Sequence, residues 1–401
     1  MNQRRKMVIA GTMIMFWAIF DGILAYLIPI WITKIGFSKT QMGLLVASSN
    51  VFGIIFDFLL ARFISNTHYR RLYLILYGLC AAYPLILWQA KTVPLFMVAM
   101  AVWGLYGDLH DFGTFDLVSR QSTKKERAQN WGIIEVFKSL GFLIAPIIGG
   151  AVVTKTIDFF PFSLSLTFII FSFVAYLVLV KMSATQVNFR TAAVVRYNFF
   201  KEFRLLSKIA KILLPVIIFT VTLCIFDGMV WTIGPLISQE YPQVRDFGGW
   251  FMSAYTLPAL IVNWLVGTIS KRWGNKRTAY FSFFISCVLI APIAVSRSPV
   301  AIVGIMFVAS MAGCLAWPAI KGAYVDYISE AQKYEREIES IYDLANNLGH
   351  IIGPAVAGWA ADMLGIRGAF GVMGIFCAGI VLIAWSITPR KITVRVNDKI
   401  C

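Results

Sequence analysis

Charged residues are scarce in this 401-residue sequence. Only 14% of its residues are Asp, Glu, Lys or Arg, whereas ordinary soluble domains carry about 25%. Apolar runs of about 18 residues or more recur along the whole chain instead, and each is long enough to cross a bilayer as a helix. This combination excludes a soluble globular domain and predicts an all-α integral membrane protein whose surroundings are the lipid bilayer.

The sequence also lacks the patterns of disulfide, metal and enzyme sites. Its six cysteines stand singly, without a CxxC pair or a zinc-ligand spacing, and its three histidines are His68, His110 and His350. It contains no P-loop, HExxH or GxSxG motif, and no connection is long enough for a soluble catalytic domain. We therefore expect no cofactor, no metal and no enzymatic activity. A polytopic membrane enzyme and a transporter-like sensor without flux are the alternative functions.

Basic residues exceed acidic ones and give a formal net charge of +16. They are not clustered on one soluble module, so we do not expect nucleic acid as a partner. Most lie on alternate connections, counted from the N-terminus. By the positive-inside rule this pattern predicts an even number of spans, with both termini in the cytoplasm. We expect the protein in the plasma (cytoplasmic) membrane.

Twelve transmembrane helices are predicted, in two sets of six. The expected spans are 7–32, 41–64, 71–90, 93–118, 129–153, 160–181, 210–237, 247–270, 277–296, 299–327, 338–362 and 368–388. The connection between the sets is the longest in the chain, and it is polar and basic. We therefore expect an N-terminal six-helix bundle at 1–181, a cytoplasmic linker at 182–209, and a C-terminal six-helix bundle with a short cytoplasmic tail at 210–401.

The two sets repeat each other. The tetrapeptide Ile-Phe-Asp-Gly contains Asp21 in span 1 and Asp227 in span 7, 206 residues later. Further matches at offsets of 206 and 208 residues are Gly43 with Gly249, Arg71 with Arg277, Glu135 with Asp343, Gly141 with Gly349, and Pro146 with Pro354. Because six spans separate the copies, the two bundles form a parallel pseudo-repeat, an arrangement that places a substrate site between the halves.

With these motifs the chain resembles the major facilitator superfamily. The loop signature between spans 2 and 3 of that family is matched in the second half by 267–277, with Lys271 in place of the usual Asp, and is worn in the first half at 61–71. Its glycine–proline signature of span 5 is matched by 141–150 and 349–358. The resemblance implies two six-helix bundles, alternating access and a cavity lined by spans 1, 4, 7 and 10.

Small residues recur every four positions along spans 5 and 11, which lets helices approach closely. Close packing alone is one explanation of such stripes. The functional alternative is that they also let the two halves rock against each other. The residues we assign to gating and the bundle interface are Glu135, Lys138, Gly141, Pro146, Gly149, Asp343, Gly349, Gly353, Pro354, Gly267, Arg272, Gly274 and Arg277.

Asp21 is the leading candidate for a proton-coupling residue. A carboxylate in the hydrocarbon core costs a few kcal/mol, so it is rare there and usually functional. In a half-dry cavity the charged form is disfavoured, and the group can bind and release a proton as the cavity faces each side. The resemblance points the same way, because an acid on helix 1 has this role in proton-coupled members. A structural acid paired to a neighbouring helix is the alternative.

Span 4 carries a second titratable group of residues, Asp108, His110 and Asp111. Asp108 and Asp111 are three residues apart and share a helix face, where two carboxylates cannot both ionise cheaply. Histidine titrates near neutral pH when it is wet. We expect a proton relay here, with a metal site as the weaker alternative.

The expected substrate cavity contains Asp21, Asp227, Lys321, Trp17, Tyr106 and Trp317. Lys321 is expected to pair with Asp227 or Asp111, or else to receive an anionic substrate, because an unpaired buried ammonium is costly. Glu135 and Lys138, three residues apart, are expected to pair with each other. For the aromatic residues, plain packing is the alternative.

The sequence therefore predicts a secondary active transporter. It would be a monomer that moves a small-molecule substrate by alternating access, coupled to protons. The resemblance implies that four acids, Asp21, Asp108, Asp111 and Asp227, and one lysine, Lys321, face the cavity, which favours a cationic or polyhydroxylated substrate over a multiply charged anion.

Overall fold

The computed structural model describes residues 3–63, 67–122, 126–153, 158–182, 199–244, 246–262 and 265–388. Within these ranges the chain forms helices and short connections and contains no strand. The helices of the first half are α1 (Gln3–Ile35), α2 (Lys39–Phe63), α3 (Tyr69–Gln89), α4 (Val93–Gln121), α5 (Arg127–Val152) and α6 (Phe160–Met182). Those of the second half are α7 (Phe199–Ile233), α8 (Phe247–Val262), α9 (Val266–Trp273), α10 (Asn275–Ile290), α11 (Pro299–Gly313), α12 (Ala316–Glu330) and α13 (Glu335–Ile387).

These helices account for twelve spans. Helices α1 and α3 to α7 are each long and apolar enough to cross a membrane, and so is α10 together with the short helix that extends it to Ala294. The same holds for α11 with α12 and for α8 with α9 when each pair is taken as one span. The 53-residue α13 supplies spans 11 and 12, because Gly365 (φ 74°, ψ 168°) separates two helices within it. The 25 residues of α2 reach about 37 Å at 1.5 Å each, enough for a hydrocarbon core of about 30 Å. The predicted twelve-span, all-α fold is confirmed.

One difference from the predicted boundaries lies at the end of the expected linker. Helix α7 begins at Phe199, before the expected start at 210, because the polar residues of its first turns interrupt the apolar run without breaking helix propensity. Residues 183–198 of the expected linker, and the tail 389–401, lie outside the described residues.

The chain divides into two compact units. Unit 1 consists of Met1–Ala192 with Trp231–Thr256, and unit 2 of Ala193–Val230 with Leu257–Cys401. In unit 1, α1 packs against α5 and α6, while α4 packs against α2 and α3. In unit 2, α10 packs against α11, α12 and α13. A helix that is apolar on all sides belongs in an interior, and α1 is accordingly buried along most of its length.

Candidate functional site

Asp21 lies in the buried middle of α1 and accepts two hydrogen bonds from α4. The Tyr106 hydroxyl donates to Asp21 Oδ1 at 2.6 Å, and the Trp103 indole N–H donates to the same oxygen at 3.0 Å. Asp21 is 8% exposed and Tyr106 is fully buried. Both donors are neutral, and no ion pair to Asp21 is found in the described part of the chain. The carboxyl group is therefore hydrogen-bonded by aromatic donors, and Lys138 of α5 acts on it electrostatically without an ion-pair contact.

The predicted small-residue stripe of α5 holds α1 in place. A Cβ at Gly141 would lie 2.6 Å from the Cβ of Ala18, and one at Gly149 would lie 2.7 Å from the ring of Tyr26. Asp21 lies between these two approaches along α1. The stripe thus packs two helices of unit 1 against each other, on either side of the buried acid.

His110 of α4 links an exposed acid to the interior of unit 1. Its ring stacks on Trp17 with a centroid distance of 3.6 Å and an interplanar angle of 9°. Nδ1 of His110 lies 3.0 Å from Asp111 Oδ1, and Lys138 Nζ lies 3.9 Å from that same oxygen. The side chain of Asp111 is 75% exposed, whereas that of His110 is 1% exposed. The expected pairing of Lys138 with Glu135 is wrong, because the α5 lysine reaches across to the α4 acid.

Asp108 does not join this group by direct contact. Its carboxyl group faces α2, where a Cβ at Gly53 would lie 3.6 Å from Asp108 Oδ1. Asp108 Oδ2 is buried without a hydrogen-bond partner in the described chain. Three or more metal-ligating side chains close enough to hold an ion are not found among the described residues. The structure brings together His110 and Asp111, with Asp108 beside them.

In unit 2, Asp227 of α7 meets a histidine of α13. Nε2 of His350 lies 3.2 Å from Asp227 Oδ2, and Nδ1 of His350 lies 3.0 Å from the backbone oxygen of Asn346. The thiol of Cys224 donates to Asn346 Oδ1 at 3.3 Å. Sequence reasoning missed His350. The available signal was its place next to Gly349, inside a stripe expected to pack closely on another helix.

The predicted pairing of Lys321 with Asp227 is wrong. Lys321 lies on α12 with an exposed side chain, and no ion pair joins it to Asp227 among the described residues. The acid on which it acts electrostatically is Asp343 of α13. A lysine was expected because an acid in a membrane needs compensation, and the histidine supplies it instead.

The small-residue stripe of α13 repeats the arrangement seen in unit 1. A Cβ at Gly349 would collide with the Cβ of Cys224, and one at Gly353 would lie 2.6 Å from the backbone oxygen of Ile225. A Cβ at Gly228 would lie 3.0 Å from Pro354 Cδ. Helices α7 and α13 are thus in close contact around Asp227.

The comparisons with known proteins agree with this architecture. A family model described as Major Facilitator Superfamily matches residues 9–241 and 216–399. The chain belongs to the major facilitator superfamily. No curated protein sequence matches the chain.

Solved structures of superfamily transporters share the fold at low sequence identity. The nucleoside transporter NupG is 12% identical with a TM-score of 0.73, and the match covers 98% of this chain and 100% of that one. The peptide transporter POT in complex with sulfate is 14% identical with a TM-score of 0.75, covering 97% and 98%. A bacterial homologue of the human lysosomal transporter Spinster, inward-facing and unoccupied, is 11% identical with a TM-score of 0.74, covering 96% and 97%. Both the family and these neighbours point to a transporter.

The remaining superfamily signature positions lie at helix ends. Gly274, with φ 83°, ends α9 and begins α10, which requires the left-handed backbone that glycine adopts readily. The side chains of Arg272 and Arg277 are exposed on either side of it, and Gly267 has open space around its α-carbon. Trp317 on α12 is partly exposed. These placements are compatible with the predicted roles, which stay predictions.

Within unit 1 the start of α8 packs against the other end of the α5 stripe. A Cβ at Gly249 would lie 2.5 Å from the backbone oxygen of Pro146, and one at Gly150 would lie 2.9 Å from the α-carbon of Gly249. A Cβ at Gly248 would lie 2.5 Å from the hydroxyl of Tyr26. Pro146 and Gly150 therefore contact a segment of the second half of the sequence.

Proposed function

We propose that this superfamily member is a secondary active transporter that moves a small molecule across the membrane by alternating access, driven by a proton gradient. Asp21 is the proton-coupling residue in this proposal. The supporting observation is a buried carboxyl group on α1 with two neutral hydrogen-bond donors and no ion-paired cation in the described chain. Acids of purely structural duty in membranes are typically paired with cations.

The His110–Asp111 pair is the proposed route between Asp21 and water. Asp111 is exposed, His110 is buried, and the two touch through Nδ1 and Oδ1. The stacked Trp17 ring also packs edge-on against Tyr106, which donates to Asp21. His110 and the Tyr106 hydroxyl, on either side of the Trp17 ring, are the proposed carriers of a proton from Asp111 to Asp21. Asp108 lies beside this route as a further acid.

For the substrate, we propose a neutral, hydroxyl-rich molecule. Two of the acids that favoured a cationic substrate are compensated within their own units, Asp111 by Lys138 and Asp227 by His350. Aromatic residues with polar edges suit rings and hydroxyl groups. The nucleoside transporter among the structural neighbours makes nucleosides the first compounds to screen, followed by sugars and peptides.

The topology and assembly in this proposal follow from the sequence. Both termini face the cytoplasm, as the placement of lysine and arginine predicts, and the protein works as a monomer in the plasma membrane. Thiol labelling from outside intact cells checks the orientation, because a cysteine introduced at Gln186 should stay unlabelled.

Transport by the purified protein tests the proposed function. A thermal-shift screen of nucleosides, sugars, peptides and amines selects the probe, since a ligand that binds the native state raises its thermal midpoint. Proteoliposomes should then accumulate that compound when a pH gradient is imposed, and a protonophore should abolish the accumulation. Binding without flux would favour the sensor alternative. Flux that does not depend on the pH gradient would contradict the proposed proton coupling.

A further inference from the structure

The geometry of the contact between Asp227 and His350 indicates which atoms carry protons. Its two ends are fixed, because Nδ1 of His350 faces the Asn346 carbonyl oxygen at 3.0 Å and Nε2 faces Asp227 Oδ2 at 3.2 Å. A backbone carbonyl oxygen only accepts hydrogen bonds. Nδ1 must therefore carry a proton, and this sets the tautomer of the ring.

The tautomer has a direct consequence at the other nitrogen. A neutral histidine with its proton on Nδ1 has a bare lone pair on Nε2. An ionised carboxylate also offers only lone pairs. A separation of 3.2 Å between Nε2 and Oδ2 is a hydrogen bond only when one further proton lies between them, on the imidazole or on the carboxyl group.

We propose that Asp227 and His350 together bind one exchangeable proton, which holds α7 against α13, and that this pair is a second proton-binding site beside Asp21. The site lies wholly within unit 2, where sequence reasoning placed no proton-coupling residue. It extends the proposed function and is independent of whether flux is observed.

The neighbouring side chains support this reading of the contact. The Cys224 thiol also lies in contact with the His350 ring, but it donates to Asn346 Oδ1 at 3.3 Å, so its proton does not bridge the pair. Lys321 on α12 and Asp343 on α13 are the charged groups near this end of the two helices. Gly349 fits directly against Cys224, which fixes the spacing of α7 and α13 near the pair.

The histidine of unit 1 provides the contrast. Nδ1 of His110 faces Asp111 Oδ1, and Nε2 of His110 is buried without a partner in the described chain. A neutral histidine donating from Nδ1 to an ionised carboxylate satisfies that contact completely. His110 therefore needs no additional proton, whereas His350 does.

The pH dependence of thermal stability tests the proposal without substrate or gradient. Above about pH 6.5 the unfolded chain has released this proton, whereas the folded pair keeps it, so stability falls as pH rises. The shared proton of the pair should contribute about 2 °C per pH unit to the alkaline decline of the wild-type thermal midpoint. The Asp227→Asn and His350→Gln variants should lose this contribution, because each amide supplies the bridging hydrogen permanently, whereas the contributions of Asp21 and the other acids stay the same in all three proteins.

His68→Gln, which removes a histidine outside the spans, is the control and should keep the wild-type decline. A profile that is the same in wild type and both pair variants overturns the proposal. If the pair variants do not fold, ¹⁵N spectra of histidine-labelled wild type decide the matter, assigned with His68→Gln and His110→Gln. A proton-bearing or strongly hydrogen-bonded Nε2 on His350 at pH 7 supports the proposal, and a bare Nε2 overturns it.

Discussion

Asp21 and Asp227 occupy the same register of a duplicated helix but have different chemical surroundings. Asp21 accepts hydrogen bonds from two neutral aromatic donors on α4, Trp103 and Tyr106. Asp227 contacts His350 on α13. The packing that surrounds both acids is alike, because a stripe of small residues presses α5 on α1 and α13 on α7. The two copies have kept the same helix packing since the duplication, but they differ in the side chains that determine how each acid binds a proton.

The sequence explains why the partners differ. At offsets of 206 and 208 residues, the positions that correspond to Trp103 and Tyr106 hold Ala309 or Met311 and Ala312 or Cys314. None of these can donate as an indole or a phenol does. Conversely, the position that corresponds to His350 in the first half, 208 residues earlier, holds Phe142. Each half therefore lacks the donor that the other half uses.

The largest expected effect comes from Asp21→Asn. The amide oxygen can still accept from Tyr106 and Trp103, so folding and substrate binding should be retained, whereas the group can no longer exchange a proton. We expect accumulation driven by a pH gradient to be abolished in proteoliposomes, with non-energised exchange partly intact. Asp158→Asn, a change at an exposed acid outside the spans, is the matched control and should transport like wild type. Continued accumulation by Asp21→Asn would shift the coupling role to α4 or to Asp227.

An intermediate effect should come from the two stripes, and it should be equal in both halves. Gly141→Ala and Gly349→Ala each force a methyl group against a neighbouring helix, which should cost about 1–3 kcal/mol of stability. Gly304→Ala has open space and should change stability by less than about 1 kcal/mol. Thermal unfolding of the three variants measures this. If only one of the two stripe variants were as stable as the wild type, the helix packing of the two halves would have diverged as well.

The smallest effect should be the coupling between Lys321 and Asp227. Because the structure holds no ion pair between them, a double-mutant cycle with Lys321→Ala and Asp227→Asn should give an interaction energy below about 0.5 kcal/mol. The cycle of Asp227→Asn with His350→Ala should give a value between about 0.5 and 3 kcal/mol. Stability measurements on the single and double variants provide both numbers. A larger coupling for the lysine than for the histidine would contradict the pairing described here.

Much of the fold was predictable because the bilayer imposes one strong rule. Backbone polar groups in hydrocarbon must form their hydrogen bonds within the helix. A long apolar run therefore predicts a helix, and the ends of the run lie close to the ends of the helix. The start of α7 at Phe199 escaped this rule because its first turns are polar. The site was predictable for the acids, since a charge in an apolar run is conspicuous. Tyr106 and Trp103 have no such signal, because aromatic residues are common in spans.

The sequence by itself determined the twelve spans, the duplication, the superfamily and the positions of the rare intramembrane acids. These follow from composition and spacing along the chain, which the bilayer translates directly into helices. Only the tertiary structure decided which side chain meets each acid. Lys138 reaches Asp111 instead of Glu135, and His350 meets Asp227 in place of Lys321. Such pairings depend on how helices distant in sequence are rotated and spaced relative to each other. Close contacts at glycine residues determine that rotation and spacing.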